Sequence, residues 1–154
     1  PLRVAANRGA SGIDGQIATA CGWAMGHRQP TTILLGDLSA IHDLNSLLLF
    51  RESPVPMTLV ILNNDGGGIF SLLPISKQKD LFERFFGTPH GCEFSKVAAM
   101  FDLPYFQPEN LEQLQKSLQE AWRSNKPSLI EVKTDREQTA AHLLAWQDHV
   151  INHA

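Results

Sequence analysis

Apolar residues in this chain form two kinds of pattern, short continuous runs and helical stripes. Strands are predicted where apolar residues follow one another with little interruption, over 31–35, 57–62 and 128–133. The clearest helical stripe runs from Leu111 to Trp122, and Asn110 is placed to cap that helix. The same patterns predict a short strand over 2–6 and further helices over about 15–27, 39–51, 77–86, 93–101 and 137–151.

Predicted strands and helices alternate along the chain. This order is typical of βαβ units, in which helices cover both faces of a parallel sheet. The sequence therefore predicts an α/β fold with a doubly wound parallel sheet. Such sheets bind ligands at the carboxyl ends of their strands, near a topological switch point. We therefore expect ligand-binding residues directly after the strands.

Composition narrows the class of protein. The chain has 154 residues, 43% of them apolar and 19% charged, which is the size of one domain. Its 13 basic and 16 acidic residues give a net charge of −3, which argues against a nucleic-acid or anionic-membrane partner. No apolar run approaches the ~20 residues of a membrane span. The two cysteines, Cys21 and Cys92, are too few for a disulfide scaffold and indicate a cytoplasmic compartment.

Two of the predicted strands lead into polar turns that contain glycine, over 36–39 and 63–68. A right-handed crossover between these strands would place Asp37 and Asn64 at the same edge of the sheet. A carboxylate, an amide oxygen and a backbone carbonyl suit Mg²⁺, and Ser39 opens the next predicted helix, where backbone N–H groups favour an anion. Either turn alone is more typical of a tight turn or a helix cap. Their separation by one crossover unit favours a ligand site.

The Gly36-Asp37-Leu38 motif, the 24 residues that follow it and the Asn63-Asn64 pair resemble the signature of thiamine-diphosphate enzymes. The resemblance implies that Mg²⁺, or Mn²⁺ in its place, binds the side chains of Asp37 and Asn64 and the carbonyl of Gly66, and holds the cofactor's diphosphate. One departure is that Leu38 stands where most members have glycine. The cofactor-binding residues implied in these turns are Gly36, Asp37, Leu38, Ser39, Asn64, Gly66, Gly67 and Gly68.

Three segments, 7–15, 36–40 and 69–74, resemble one branch of this family in particular, and 99–103 and 121–123 agree with it. That branch acts in menaquinone biosynthesis, where it decarboxylates 2-oxoglutarate and adds the succinyl carbanion to isochorismate. The resemblance implies a homo-oligomer, a dimer or tetramer. In it, the N-terminal pyrimidine-binding domain of a partner subunit completes each active site.

The same resemblance assigns roles outside the two turns. Arg8 would bind a substrate carboxylate, since guanidinium forms two parallel hydrogen bonds to that group. Ser11 and Gly12 would contact the cofactor through the backbone, and Ile13 would support its bent shape. Without the resemblance, Arg8 is more typical of a solvated surface residue, and Ile13 fits a core position equally well. The apolar wall of the active site would be formed by Ile69, Phe70 and Leu73.

The resemblance implies that residues 1–154 form a single domain, the C-terminal diphosphate-binding domain of a larger enzyme, without its pyrimidine-binding and central domains. The glutamate that activates the cofactor belongs to the absent N-terminal domain, and Glu52, Glu83 and Glu93 lie in no motif that suits the task. We therefore expect the chain alone to be inactive. Two alternatives are a diphosphate-binding subunit of another thiamine-diphosphate 2-oxo-acid decarboxylase or synthase, and a non-catalytic α/β ligand-binding module.

Overall fold

The computed structural model describes residues 2–7 and 12–153. Parallel strands form a four-stranded sheet in the order β1-β2-β4-β3. The strands are β1 (Thr31–Gly36), β2 (Met57–Asn63), β3 (Tyr105–Phe106) and β4 (Ser128–Lys133). The helices are α1 (Gln16–His27), α2 (Asp37–Ile41), α3 (Leu47–Arg51), α4 (Lys79–Phe82), α5 (Phe94–Met100), α6 (Leu111–Ser124) and α7 (Arg136–His153).

Helices cover both faces of this sheet, which confirms the predicted doubly wound α/β fold. Successive side chains of a strand point to opposite faces. Leu59 and Leu129 belong to the core cluster that includes buried residues of α1, α3 and α5. Their neighbours Val60 and Ile130 pack instead against Ala121 of α6. The central strands are apolar because both of their faces are buried.

The register of β1 and β2 positions the candidate site. Gly36, the last residue of β1, pairs with Leu62, so the two strands end at nearly the same level. The turns that follow them therefore leave the sheet side by side. This arrangement confirms that Asp37 and Asn64 share one edge of the sheet.

The single helix predicted over 39–51 is wrong. The structure contains α2, a 3₁₀ turn over Leu44–Ser46 and then α3, and α2 begins at Asp37 rather than at Ser39. The interruption lies at Asp43, which is buried and has turned towards the N-terminus of α1. Its carboxylate accepts the N–H groups of Ile17 at 2.7 Å and Ala18 at 3.0 Å. Asp43 thus caps α1 from outside, because the N-cap residue Gly15 has no side chain to do so.

Other predicted elements are confirmed or corrected by their tertiary contacts. The α6 helix is confirmed, and Asn110 Oδ1 accepts the Gln113 N–H at 3.0 Å as its cap. The predicted strand over 2–6 is wrong, since these residues are exposed and pair with none of the described strands. The predicted helix over 77–86 is shorter, because α4 passes at Glu83 into one π-helical turn, Glu83–Gly87. The final helix is confirmed as α7.

No helix among the described residues combines the length and the hydropathy that crossing a membrane requires.

Candidate metal and cofactor site

Asp37 joins the two turns at the carboxyl edge of the sheet. It follows β1 directly, opens α2 and is only 3% exposed. Its Oδ1 accepts the N–H of Leu38 at 2.7 Å. Its Oδ2 accepts the N–H groups of Asn64 at 3.2 Å and Gly66 at 2.9 Å, which lie in the other turn. One carboxylate therefore holds the turn after β2 against the turn after β1.

The Asn64 side chain contains an oxygen that no described residue satisfies. Asn64 Oδ1 is buried and has no hydrogen-bond partner among residues 2–7 and 12–153. Leaving a buried acceptor unpaired costs about 1–3 kcal/mol, so such an atom in a native structure indicates a missing partner. A cation would be a suitable partner, because amide and carboxylate oxygens are ligands of Mg²⁺ in proteins. The residues at this edge thus fit a hard metal ion.

The candidate donor set is mixed rather than made of charged side chains. Within residues 2–7 and 12–153, no group of three or more histidine, cysteine, aspartate or glutamate residues is placed to hold a metal. Asp37 contributes the one carboxylate and Asn64 the amide oxygen. The carbonyl of Gly66 accepts the Gly68 N–H at 3.0 Å and has a second lone pair available. This donor set has one charged ligand and leaves several coordination positions to other ligands. It therefore suits a metal that shares its coordination shell with a ligand's phosphates.

His90 is a residue of this site that the sequence analysis missed. Its Nδ1 accepts the N–H of Cys92 at 2.9 Å, so the ring proton is assigned to Nε2. Nε2 then donates to Asp37 Oδ2 at 3.1 Å. No motif or spacing marks His90, since it lies 53 positions from Asp37 and reaches it only through the loop that precedes α5. It orients the same carboxylate that the two turns share.

Asp65 fixes that loop. Its Oδ1 accepts the N–H groups of Gly91 at 2.8 Å and His90 at 3.0 Å. The hydrogen bond from Gly91 is the main reason that the pKa of the Asp65 carboxyl lies below its usual range. Asp65 itself adopts a left-handed backbone conformation, with φ 59°. Its side chain therefore binds the loop that carries His90, while its backbone shapes the candidate metal turn.

The glycines of this turn are required by a close backbone contact. A Cβ atom added at Gly66 would overlap the carbonyl of Gly87, and one added at Gly67 would overlap that of Phe86. The N–H of Gly67 donates to the Gly87 carbonyl at 2.7 Å. The turn thus packs directly on the end of the π-helical turn. A Cβ at Gly36, by contrast, would meet open space beside Asp37.

The predicted apolar wall adjoins the turn but is largely open. Ile69, Phe70 and Leu73 lie on or just after the 3₁₀ turn Gly68–Leu72, with exposed fractions of 75%, 38% and 44%. Phe70 packs edge-on against Phe86, with 5.8 Å between the ring centroids. The three side chains therefore form a partly exposed apolar stretch that directly follows the candidate metal turn in the chain.

The other predicted site residues that the structure describes are half-buried or exposed. Ile13 is 40% exposed, so it does not occupy the core position that was its alternative interpretation. Leu38 and Ser39 are half-buried on α2, and Gly12 is exposed. The two predicted positions Arg8 and Ser11 lie outside the described residues.

Comparison with known proteins identifies the family of the chain. Residues 1–132 match the family described as thiamine pyrophosphate enzyme, C-terminal TPP binding domain, thiamine pyrophosphate being another name for thiamine diphosphate. The chain belongs to this family.

Among curated proteins, similar relatives carry one name, 2-succinyl-5-enolpyruvyl-6-hydroxy-3-cyclohexene-1-carboxylate synthase. The relative from Rubrobacter xylanophilus is 51% identical over 141 residues, which cover 92% of this chain and 24% of the relative. The relative from Salinibacter ruber is 53% identical over 131 residues, covering 85% and 22%. The relative from Aeromonas salmonicida is 47% identical over 149 residues, covering 94% and 26%. The chain thus spans about a quarter of the length of these relatives.

Proposed function

We propose that the carboxyl edge of β1 and β2 binds Mg²⁺, or Mn²⁺, together with the diphosphate of thiamine diphosphate. The observation that carries this proposal is the buried Asn64 Oδ1, which has no partner in the part of the chain that the structure describes and which lies in the turn that Asp37 holds. Membership of a family of thiamine-diphosphate-binding domains supports it independently. The ligands from this chain are the side chains of Asp37 and Asn64 and the carbonyl of Gly66.

Each part of the site has a separate task in this proposal. When bound, the cofactor supplies carbanion chemistry, and the protein supplies binding, orientation and electrostatics. Asp37 neutralises charge on the metal, while His90 and the two turn N–H groups orient its carboxylate. Residues 36–39, 64 and 66–68 contact the cofactor, with Ser11, Gly12 and Ile13 on its other parts. The surface of Ile69, Phe70 and Leu73 excludes water from one side.

We further propose that the whole enzyme decarboxylates 2-oxoglutarate and adds the succinyl unit to isochorismate, in the cytoplasm. The support is the shared name of the relatives and the segments that resemble the menaquinone branch. Arg8 would bind a substrate carboxylate. A homo-oligomer would bring the pyrimidine-binding domain of a partner subunit to this site. Residues 1–154 alone would be inactive because they lack the glutamate of that domain.

Calorimetric titration of the chain with thiamine diphosphate tests the first proposal. We expect binding that requires Mg²⁺ and is restored by Mn²⁺ after chelation. The Asp37→Ala variant should bind more than about 10- to 100-fold more weakly, since that range is typical of losing only an outer-sphere partner. Thr32→Val, at the opposite end of β1, is the control and should bind normally. Equal binding with and without divalent metal would refute the proposed site.

Complementation tests the proposed reaction. The chain is mixed with the N-terminal and central domains of a relative, and several 2-oxo acids are offered with isochorismate. Turnover of 2-oxoglutarate only in the mixture is the expected result. Preference for another 2-oxo acid would indicate the alternative thiamine-diphosphate enzyme, and turnover by the chain alone would contradict its expected inactivity.

A further inference from the structure

Glu131 is a buried carboxyl group that the proposed site does not use. It lies on β4 opposite Ile61 of β2 and is only 1% exposed. Both of its oxygens accept hydrogen bonds, Oε1 from Asn63 Nδ2 at 2.6 Å and Oε2 from the Tyr105 hydroxyl. Burial and this contact with Glu131 raise the pKa of Tyr105. An apolar residue at such a position would often be neutral or stabilising, so the fold alone gives no reason for a carboxyl group there.

The contact with Glu131 decides how the Asn63 side chain is oriented. A carboxylate accepts hydrogen bonds, so it binds the Nδ2 end of the amide and turns the Oδ1 end away. Asn63 Oδ1 accepts the N–H of Asp65 at 3.0 Å. The reversed amide would present a donor to that N–H and lose the bond. Glu131 therefore selects the one amide orientation that holds Asp65.

Asp65 is the residue on which the candidate metal turn depends. It stands between Asn64 and Gly66, whose N–H groups both donate to Asp37. Its φ of 59° is a conformation that non-glycine residues adopt only when other contacts hold them there. The Asn63 amide provides such a contact from inside the sheet. A chain of hydrogen bonds thus runs from β4 through Asn63 to the middle of the turn.

We propose that Glu131 is a positioning residue: through Asn63 it holds the turn Asn64–Gly66 in the conformation that presents Asn64 Oδ1 and the Gly66 carbonyl to the metal. This inference rests on the proposed metal site. Glu131 does not touch the metal or the cofactor. Its effect on them passes through Asn63 and the Asp65 backbone.

Amide hydrogen exchange followed by NMR, without metal, tests the hydrogen-bond chain itself. In Glu131→Leu, which has no acceptor, the Asp65 amide should exchange about tenfold faster, the loss expected for one hydrogen bond. The Thr134 amide is an internal control, because it donates to the backbone carbonyl of Asn63 at 2.9 Å and reports the end of the sheet. Its exchange should not change. Glu131→Gln keeps an acceptor for Asn63 Nδ2 and should restore protection of Asp65.

Mn²⁺ affinity, measured by electron paramagnetic resonance with thiamine diphosphate present, tests the consequence for the site. Glu131→Leu should weaken it about 10- to 100-fold, as loss of an outer-sphere partner does, and Glu131→Gln should recover most of it. Leu129→Ala is the matched control, because Leu129 is buried on the same face of β4. It should lower the stability of the fold and leave Mn²⁺ affinity unchanged.

The outcomes separate this inference from the proposed site. If Glu131→Leu keeps both Asp65 protection and Mn²⁺ affinity, or if affinity falls equally in Leu129→Ala, Glu131 is not a positioning residue. If wild type binds no Mn²⁺ but Asp65 loses protection in Glu131→Leu, the hydrogen-bond chain exists and the metal site is refuted. Should Glu131→Leu fail to fold, Asn63→Ala interrupts the same chain, and unchanged Asp65 protection in that variant would likewise overturn the inference.

Discussion

The two ends of the sheet differ in how their polar groups are hydrogen-bonded. At the amino end, Ser128 Oγ donates to the Lys126 carbonyl at 3.0 Å and Trp122 Nε1 donates to Thr32 Oγ1 at 3.2 Å. At the carboxyl end, Asp37 is held by groups from three segments, and Asn64 Oδ1 is buried without a partner among the described residues. Polar groups that are locally satisfied serve the fold. An unsatisfied group held in place by others is available to a ligand.

This contrast predicts that variants at the two ends separate stability from binding. A change at the amino end should alter the free energy of unfolding and leave cofactor binding as it is. A change at the unsatisfied group should do the reverse.

The Asn64→Leu variant should show the strongest separation. Leucine has a similar size and no polar atom, so it removes both the metal ligand and the unpaired buried oxygen. We expect Mg²⁺-dependent cofactor binding to weaken by more than about 10- to 100-fold. The free energy of unfolding in urea should stay equal or rise. A marked loss of stability would mean that Asn64 is a structural residue.

The Asp43→Ala variant should have the largest effect on stability. It leaves the N–H groups of Ile17 and Ala18 and the hydroxyl of Ser46 without their acceptor. The Ile17 N–H and the Ser46 hydroxyl are buried, and a buried donor left unpaired costs about 1–3 kcal/mol, so we expect a loss of roughly 2–6 kcal/mol in urea unfolding. Asp43→Asn keeps an acceptor and is the matched control, with a smaller loss. Equal stability of all three proteins would exclude Asp43 as the cap of α1.

The Asp65→Asn variant should change the pH dependence of stability. The pKa of Asp65 is lowered in the folded chain, so its carboxylate stabilises the fold above the unfolded-state pKa. That contribution is lost as the pH falls through the folded-state pKa. Asparagine keeps an acceptor for the loop N–H groups without titrating. The free energy of unfolding, measured in urea from neutral to acidic pH, should therefore fall less steeply in Asp65→Asn than in the wild type. An identical slope in both proteins would show that the Asp65 carboxylate contributes nothing to the pH dependence of stability.

The smallest effect is expected at the amino end. Thr32→Val removes the hydroxyl that accepts the Trp122 indole N–H, an exposed contact at 3.2 Å. The free energy of unfolding should fall by no more than about 1 kcal/mol, the net value of one ordinary hydrogen bond. Cofactor affinity should be unchanged. Weaker cofactor binding in this variant would contradict the distinction between the two ends of the sheet.

The sequence could predict the sheet and the pairing of the two turns, because both depend on local patterns. Apolar runs mark β1, β2 and β4, and crossover geometry then places Asp37 beside Asn64. The pattern missed β3, which has only two residues, and predicted a strand over 2–6 that has no neighbour to pair with. Whether an apolar stretch becomes a strand depends on a partner that the local pattern does not contain.

The missed parts of the site share a physical cause. His90, Glu131 and the capping role of Asp43 all act across long sequence separations, through hydrogen bonds set by packing. No period or motif encodes such contacts. The resemblance implies that Gly66 and Gly67 bind the cofactor, yet a contact with residues 86–87 already requires glycine at both positions. A glycine motif indicates that another group approaches the backbone closely, and only the structure shows which group it is.

The most direct test of the central claim is paramagnetic broadening of backbone amide signals by Mn²⁺ in the presence of thiamine diphosphate. The account predicts that broadening is strongest at residues 37–38, 64–66 and 90, which surround the Asp37 carboxylate. It should disappear in Asp37→Ala. Broadening centred elsewhere in the chain, or unchanged in that variant, would contradict a metal site at the carboxyl edge of β1 and β2.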